Sequence, residues 1–251
     1  MSGSPSIANE LARRLDAPVV TIGQPQPVLN TGWQQELQAA GPALQAIAAR
    51  YEHLLSAGKM PVTALSRCAV AIATLPVLAR FHPDAAIVWL DAHADLNTPD
   101  SSTSGYLGGL ALSGPLGLWD SGFGQGVAGS NVILVGARDI DPAEQHLIDQ
   151  GIVTLVPPGP CIAERVGQAV AGRPVYVHLD CDVLEPGIVP TEYQSPGGLD
   201  LAELHDTMQI LAANTIVGLE ISEFEAASTD EETHAFASRL MEALQPLLAV
   251  C

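Results

Sequence analysis

Basic residues are scarce in this sequence of 251 residues. Ten Lys and Arg stand against 28 Asp and Glu, which leaves a formal net charge of −18. Nucleic-acid binding needs clustered Lys and Arg to neutralise phosphates, so we expect no nucleic-acid partner. An acidic protein favours the approach of a cationic small molecule. The same acidity also fits a simple role in solubility.

Long apolar runs and cysteine-rich patterns are absent too. The apolar segment 85–90 is far too short to span a bilayer. The first 16 residues lack the basic segment and apolar core of a secretory signal. Four scattered cysteines (Cys68, Cys161, Cys181 and Cys251) show neither a disulfide framework nor a CxxC pair. We therefore expect a cytoplasmic protein with reduced thiols and no membrane partner.

Short β-rich apolar runs alternate with longer helical patterns along the chain. Such alternation predicts parallel βα units, and hence an α/β fold in one domain over residues 1–251. The predicted strands are residues 19–22, 62–65, 85–90, 132–135, 152–155, 175–179 and 216–219. The predicted helices are residues 34–57, 68–80, 142–150, 161–171, 201–213 and 230–249. Residues 97–130, rich in Gly, Ser and Thr, form a long loop of the kind that often carries function.

Two segments each place a histidine and two aspartates at alternate positions where an apolar strand ends. The six residues are Asp91, His93, Asp95, His178, Asp180 and Asp182. Alternate side chains share one face, and ligand sites lie at the carboxyl ends of parallel strands. A lone aspartate there would more often cap a helix. Two clusters instead require cations, because packed negative charges are prohibitive without them; oxygen ligands with imidazole suit divalent manganese among other metals.

The segments DAHADLN and LDCDVLEPG resemble the two long metal-binding motifs of the ureohydrolase family, which includes arginase and agmatinase. The resemblance extends to GARDIDPAE and GLEISEFE, and it covers roughly residues 65–226. It implies a three-layer αβα fold with a mainly parallel central sheet. It also implies two Mn²⁺ ions and, since family members are commonly trimers or hexamers, a homo-oligomer.

The family resemblance assigns a role to each metal-binding residue. Asp91 and Asp180 would bridge the two ions, His93 and Asp182 would complete one site, and Asp95 would belong to the other. A hydroxide shared by the metals would attack the guanidino carbon. Glu223 would hold the guanidinium through a charge-assisted contact. We therefore predict Asp95 and Glu223 as catalytic residues.

The loop DLNTPDSSTSGYL resembles its counterpart in arginases. Asn97 and Ser104 match residues that grip the substrate's α-carboxylate, and Asp141 matches one near its α-amino group. This match predicts an α-amino acid such as arginine rather than decarboxylated agmatine. Alternatively, Asn97 and Ser104 simply stabilise turns in a polar surface loop.

The chain departs from the family pattern at Cys68. Ureohydrolases normally carry a Gly-Gly-Asp-His-Ser stretch here, whose histidine ligates the metal that Asp95 serves, and this chain reads LSRCAV instead. A thiolate is a competent ligand, so Cys68 is a predicted metal ligand with a weaker hold on manganese. Alternatively, Cys68 is a small buried residue and one metal site is degraded. His178 stands where the family has a small residue, and it either orients a carboxylate or is a hydrogen-bonded interior histidine.

A second departure lies at Gly108, where arginases carry a histidine that shuttles a proton to the departing amine. Loss of a general acid costs about two to four orders of magnitude in rate. An N-hydroxyl on the guanidino group would compensate, because its electron-withdrawing oxygen lowers basicity and weakens the resonance. The leading hypothesis is therefore hydrolysis of Nω-hydroxy-L-arginine to L-ornithine and hydroxyurea. The alternatives are an ordinary arginase or other guanidino-acid hydrolase, and a metal-poor, non-catalytic binding homologue.

Overall fold

The computed structural model describes residues 2–26 and 29–251. Its helices are α1 (Ser4–Leu15), α2 (Trp33–Ser56), α3 (Ala71–Phe81), α4 (Pro142–Asp149), α5 (Ile162–Val170), α6 (Leu201–Leu211), α7 (Asp230–Ala243) and α8 (Gln245–Leu248). Its strands are β1 (Val62–Ala64), β2 (Ala86–Leu90), β3 (Val132–Val135), β4 (Thr154–Val156), β5 (Val175–Asp180) and β6 (Ile216–Ser222). Short 3-10 turns follow β1 and β5, at Cys68–Val70 and Cys181–Val183.

The six strands form one sheet in the order β1-β6-β5-β2-β3-β4. Every neighbouring pair is parallel. The central strands β2 and β5 are buried along their whole length, as expected for strands of a parallel sheet that is covered on both faces. The predicted α/β class with a parallel central sheet is confirmed.

Helices cover both faces of this sheet, which gives three layers. Along β2, Ala86, Val88 and Leu90 pack on one side with residues of α1 and α5 to α8. Ile87 and Trp89 pack on the other side with residues of α2 and α3. The layers arise because successive side chains of a strand point to opposite faces.

The prediction of a strand at residues 19–22 is wrong. This segment has no regular structure, and Val19 and Val20 are 48% and 56% exposed. The preceding helix α1 was not predicted, although Ile7 and Leu11, four residues apart, share one of its faces and are buried. Apolar content alone misled the prediction, because a strand also needs a partner for its backbone groups.

Two further boundaries differ from the predictions. The fourth strand of the sheet begins at Thr154 and leaves Ile152 outside it, 37% exposed. The predicted helix over residues 230–249 divides at Leu244 into α7 and α8, because Pro246 at the start of α8 cannot continue a helix. Within the described residues, none of the helices has the length and apolarity required to cross a bilayer.

The sheet order determines where the polar strand ends meet. The strands β6, β5 and β2 are neighbours, and all run in the same direction. Asp91 follows β2, Asp180 ends β5 and Glu223 follows β6. The carboxyl ends of three adjacent strands thus bring carboxylates to one edge of the sheet.

We expect Ile7→Ala to lower the free energy of unfolding by about 2–5 kcal/mol, because it leaves a cavity where α1 packs on the core. Chemical denaturation of the metal-free protein measures the change. Val20→Ala, at an exposed position, is the control and should change stability by less than about 0.5 kcal/mol. Equal effects of both substitutions would show that α1 does not dock as described.

Candidate metal centre

The side chains at this sheet edge form three closely spaced groups of ligand atoms. The groups are Cys68, Asp91 and Asp95; Asp91, His93 and Asp182; and Cys68, Asp180 and Glu223, with the atoms of each group within 4.8 Å of one another. All six residues predicted as metal ligands fall in these groups. The structure therefore brings the predicted ligand set together.

The backbone at the two predicted catalytic residues is unusual. Asp95 and Glu223 have φ of 53° and 58°, in the left-handed region that non-glycine residues rarely adopt. Neighbouring hydrogen bonds hold Asp95 there: its carbonyl accepts from Leu112 at 3.0 Å, and the N–H of Leu96 donates to Glu144 at 2.8 Å. Such strain persists only where the surroundings over-determine it, and it concentrates at functional sites.

The carboxylates of the cluster are buried, and burial makes their ionised form less favourable. Burial and neighbouring carboxylates raise the pKa of Asp91, Asp95 and Asp180 above the ordinary value. Burial acts the same way on Asp182, but hydrogen bonding to His93 outweighs it and leaves the pKa lowered. Several desolvated acids at one point are stabilised by added positive charge.

His93 supplies part of that charge. Its Nδ1 lies 3.2 Å from Asp182 Oδ2 and 3.3 Å from Asp91 Oδ1. Burial by itself lowers the pKa of His93. The bonds to Asp182 and Asp91 together outweigh burial, and they raise the pKa to about 12. One imidazolium cannot balance four surrounding carboxylates. A donor set of carboxylate oxygens with one imidazole and one thiol therefore fits divalent cations.

Cys68 faces the cluster from the turn after β1. Its thiol donates to Asp180 Oδ2 at 2.9 Å and lies 3.0 Å from Ser222 Oγ. Burial, together with the charges of Asp180 and Glu223, raises the pKa of this thiol well above its ordinary value. Without a cation the sulfur thus keeps its proton, whereas a bound metal would favour the thiolate.

His178 is an interior histidine whose outer nitrogen contacts Cys68. The ring is fully buried and stacks on Trp89 with centroids 3.6 Å apart. Nε2 lies 3.2 Å from Cys68 Sγ and 3.1 Å from Ser222 Oγ. These contacts fit the second interpretation of His178, a hydrogen-bonded interior histidine. Among the predicted metal ligands, His178 contacts the sulfur of Cys68.

Glu220, which was not predicted from the sequence, forms a buried hydrogen bond with His178. Glu220 Oε2 accepts from His178 Nδ1 at 2.9 Å, and Oε1 accepts from Thr74 at 2.6 Å and Tyr51 at 3.0 Å. Burial raises the pKa of Glu220, but these bonds outweigh it and hold the pKa below its ordinary value. The sequence signal was a glutamate inside an otherwise apolar strand.

Two of the three residues predicted to hold the substrate's amino-acid end lie together. Asn97 Nδ2 donates to Asp141 Oδ2 at 2.8 Å, at the start of α4. Ser104 is exposed, and its hydroxyl accepts from the backbone N–H of Tyr106 at 3.2 Å. Within the described residues, Ser104 forms no hydrogen bond with Asn97 or Asp141.

Arg67 and Tyr106 were not predicted, yet both contact Glu223. Arg67 Nη1 lies 3.1 Å from Glu223 Oε2, and the Tyr106 hydroxyl donates to Oε1 at 3.3 Å. Burial raises the pKa of Glu223 to about 7, although Arg67 and the N–H of Cys68 act to lower it. The sequence did carry a signal for Arg67: a basic residue stands at the position of the aspartate in the family's Gly-Gly-Asp-His-Ser stretch.

Tyr106 also explains why position 108 carries no side chain. A Cβ at Gly108 would lie 2.3 Å from Cε1 of the Tyr106 ring. The ring thus fills the space beside the backbone at which arginases are expected to place a histidine.

Comparisons with known proteins point to one family. The sequence profile of the arginase family matches residues 10–245. The chain is 36% identical to the Nω-hydroxy-L-arginine amidinohydrolase of Streptomyces lavendulae over 98% of this chain and 90% of that protein. It is 28% identical to arginase-1 of Homo sapiens over 74% of this chain and 64% of that protein. The crystal structure of arginase from Bacillus cereus superimposes with a TM-score of 0.82 at 25% identity, covering 96% of this chain and 90% of that one.

We expect Glu220→Gln to destabilise the protein by about 2 kcal/mol or more, because it weakens three buried hydrogen bonds to a charged acceptor. Denaturant unfolding measures the loss. Glu242→Gln, at an exposed position of α7, is the control and should be nearly neutral. Similar results for the two variants would contradict the description of Glu220 as a buried anchor.

The contribution of Glu220 should also depend on pH. Its pKa in the folded protein lies below the ordinary 4.5, so ionised Glu220 stabilises the fold at pH values well above 4.5. That contribution is lost as pH falls through the lower folded-state pKa. We therefore expect the stability difference between wild type and Glu220→Gln to shrink in acid. A difference that stays constant down to the acid transition would count against this prediction.

Proposed function

The chain belongs to the arginase family of hydrolases, and on that premise we propose that it hydrolyses Nω-hydroxy-L-arginine to L-ornithine and hydroxyurea. One observation carries the reaction: six candidate ligands converge at the ends of adjacent parallel strands. The choice of substrate is supported by the 36% identity to an Nω-hydroxy-L-arginine amidinohydrolase over nearly the whole chain. Gly108, which offers no imidazole at the position of the arginase proton shuttle, supports the same choice.

We propose that the centre holds two Mn²⁺ ions. Asp91 and Asp180 would contact both ions, His93 and Asp182 one of them, and Asp95 with Cys68 the other. When bound, the metals lower the pKa of coordinated water and so supply a nucleophile near neutral pH. The Cys68 site would hold manganese more weakly, because a thiolate is softer than the imidazole it replaces.

The chain's own residues then bind the substrate and move the proton. Glu223 orients the guanidino group by hydrogen bonding, and Asn97, Ser104 and Asp141 hold the amino-acid end. Asp95, as an ionised ligand, would have one carboxyl oxygen free to act as a base. We propose that this oxygen takes up the proton lost by the attacking water and passes it to the departing δ-nitrogen of ornithine.

The runner-up is hydrolysis of L-arginine itself. The paired Asn97 and Asp141 would serve either substrate, because they contact the shared amino-acid end. The similarity to the Bacillus cereus arginase structure favours this alternative. A metal-poor binding protein would be the third candidate, and it would purify with well under one manganese per chain even after incubation with the metal.

We further propose that residues 1–251 act as one domain in a cytoplasmic homo-oligomer. The single sheet that runs through the described residues supports the first point. The family resemblance supports the second, and size-exclusion chromatography with light scattering tests it. A monomeric mass would overturn the oligomer.

We expect manganese-loaded protein to release ornithine from Nω-hydroxy-L-arginine at least roughly tenfold faster than from L-arginine. The reason is that a missing general acid matters less for a less basic guanidino group. Amino-acid analysis of timed reactions measures both rates, and Asp95→Asn controls for contaminating arginase because it should lose activity on both substrates. Faster turnover of L-arginine would reject the hydroxyarginine assignment.

We expect the double variant Cys68→His with His178→Ser to bind more manganese than wild type at a fixed free metal concentration. The second change is needed because His178 Nε2 lies 3.2 Å from Cys68 Sγ and would collide with a new imidazole. Equilibrium dialysis with elemental analysis measures manganese per chain. Cys181→Ala, in the core beside the site, is the matched control and should leave the stoichiometry unchanged. Identical stoichiometry in the double variant would contradict a weaker hold on manganese at Cys68.

A further inference from the structure

The carboxylate proposed to hold the substrate already contacts a cation of the chain itself. Both oxygens of Glu223 have partners: Oε1 accepts from the N–H of Cys68 at 2.9 Å and from Tyr106 at 3.3 Å, and Oε2 accepts from Arg67 at 3.1 Å. The guanidinium of Arg67 thus occupies one side of the group that a substrate guanidinium would seek. A substrate must share Glu223 with Arg67 or displace it.

Arg67 is held in this place by contacts with three residues. Besides Glu223, its Nη1 lies 2.5 Å from Glu192 Oε2 and 3.2 Å from the Tyr106 hydroxyl. Its guanidinium carbon lies 5.7 Å from the centroid of the Tyr106 ring, within cation–π range. The Arg67 side chain is 29% exposed, between buried Glu223 at 6% and outward Glu192 at 49%. Arg67 therefore lines the entrance to Glu223.

The charge of Arg67 has a consequence for the substrate. An arginine side chain stays protonated at every accessible pH, so bound L-arginine would bring a second permanent positive charge to a single buried carboxylate. Glu192 offsets only part of this repulsion, because a half-exposed charge is screened by water. An N-hydroxyguanidine is less basic, because its oxygen withdraws electrons, and it can enter as a neutral group. Its oxygen can then accept a hydrogen bond from Arg67.

We propose that Arg67 is a specificity-determining residue, whose fixed positive charge on Glu223 disfavours cationic guanidinium substrates and favours neutral N-hydroxyguanidines. The inference rests on the proposed function, since it concerns the same guanidino site. It adds that substrate choice depends on a residue outside the metal ligands. The residue acts by contacting the group that binds the substrate.

Kinetics of Arg67 variants test this role on the manganese-loaded protein. Arg67→Gln should lower the ratio of kcat/KM for Nω-hydroxy-L-arginine over L-arginine by at least roughly tenfold, since like charges placed together are strongly unfavourable. The change should come mainly from a lower KM for L-arginine. Arg67→Lys, which keeps the charge, should hold the ratio within roughly threefold of wild type. If Arg67→Gln changes kcat/KM for both substrates by the same factor, Arg67 is only structural and the proposal fails.

Glu192→Gln separates charge from shape. It removes the outer partner of Arg67 without touching Glu223, so less of the positive charge is offset and the preference for hydroxyarginine should rise. A fall in that preference would contradict a charge-based mechanism and overturn the proposal.

Failure of the proposed function gives a different result. Should wild type release ornithine from neither amino acid, that function is wrong, while calorimetric titration with L-arginine and with its neutral isostere L-citrulline still tests Arg67. Arg67→Gln should tighten L-arginine binding relative to L-citrulline by at least roughly tenfold. An unchanged ratio of the two Kd values would refute the role of Arg67.

Discussion

Repulsion among buried carboxylates is the constraint on which this structure depends. Parallel strands place their carboxyl ends side by side, and in this sheet an acidic residue ends or directly follows each of the three adjacent strands β6, β5 and β2. Water cannot relieve the repulsion, because Asp91, Asp180 and Asp182 are each less than a tenth exposed. The buried negative charges therefore need compensating positive charge. His93 supplies part of it, and bound metal ions would supply the rest.

A second layer of buried polar groups supports the first. Beneath Cys68 runs a hydrogen-bonded path through His178 to Glu220, and from there to Thr74 and Tyr51. Each link satisfies a group that burial would otherwise leave without a partner. Because Trp89 both stacks on His178 and donates from its Nε1 to Asp91, the same ring braces both layers. The ligand positions are therefore set by the core as well as by the loops.

The sequence predicted the parallel sheet and the ligand cluster because both depend on short-range patterns. Apolar strands can be recognised from their composition. The pattern Asp-x-His-x-Asp at the end of a strand predicts that its three side chains converge, and this prediction needs no knowledge of the rest of the chain. Arg67 and Glu220 escaped prediction because their roles depend on contacts with distant residues: Arg67 with Glu223, 156 positions away, and Glu220 with Thr74, 146 positions away. Residues 19–22 failed for the opposite reason: their composition suited a strand, but in the described part of the chain they pair with no strand of the sheet.

The contact between Gly108 and Tyr106 constrains how such a site can change over time. Any side chain at position 108 would overlap the tyrosine ring, since its first carbon would already lie 2.3 Å from it. A lineage could not acquire an imidazole at this position in one step while the ring stays in place. Removing the ring first would free the hydroxyl's partners Arg67 and Glu223. The two positions are thus coupled: a side chain at position 108 requires the Tyr106 ring to move, and such a movement would alter the contacts of its hydroxyl with Arg67 and Glu223.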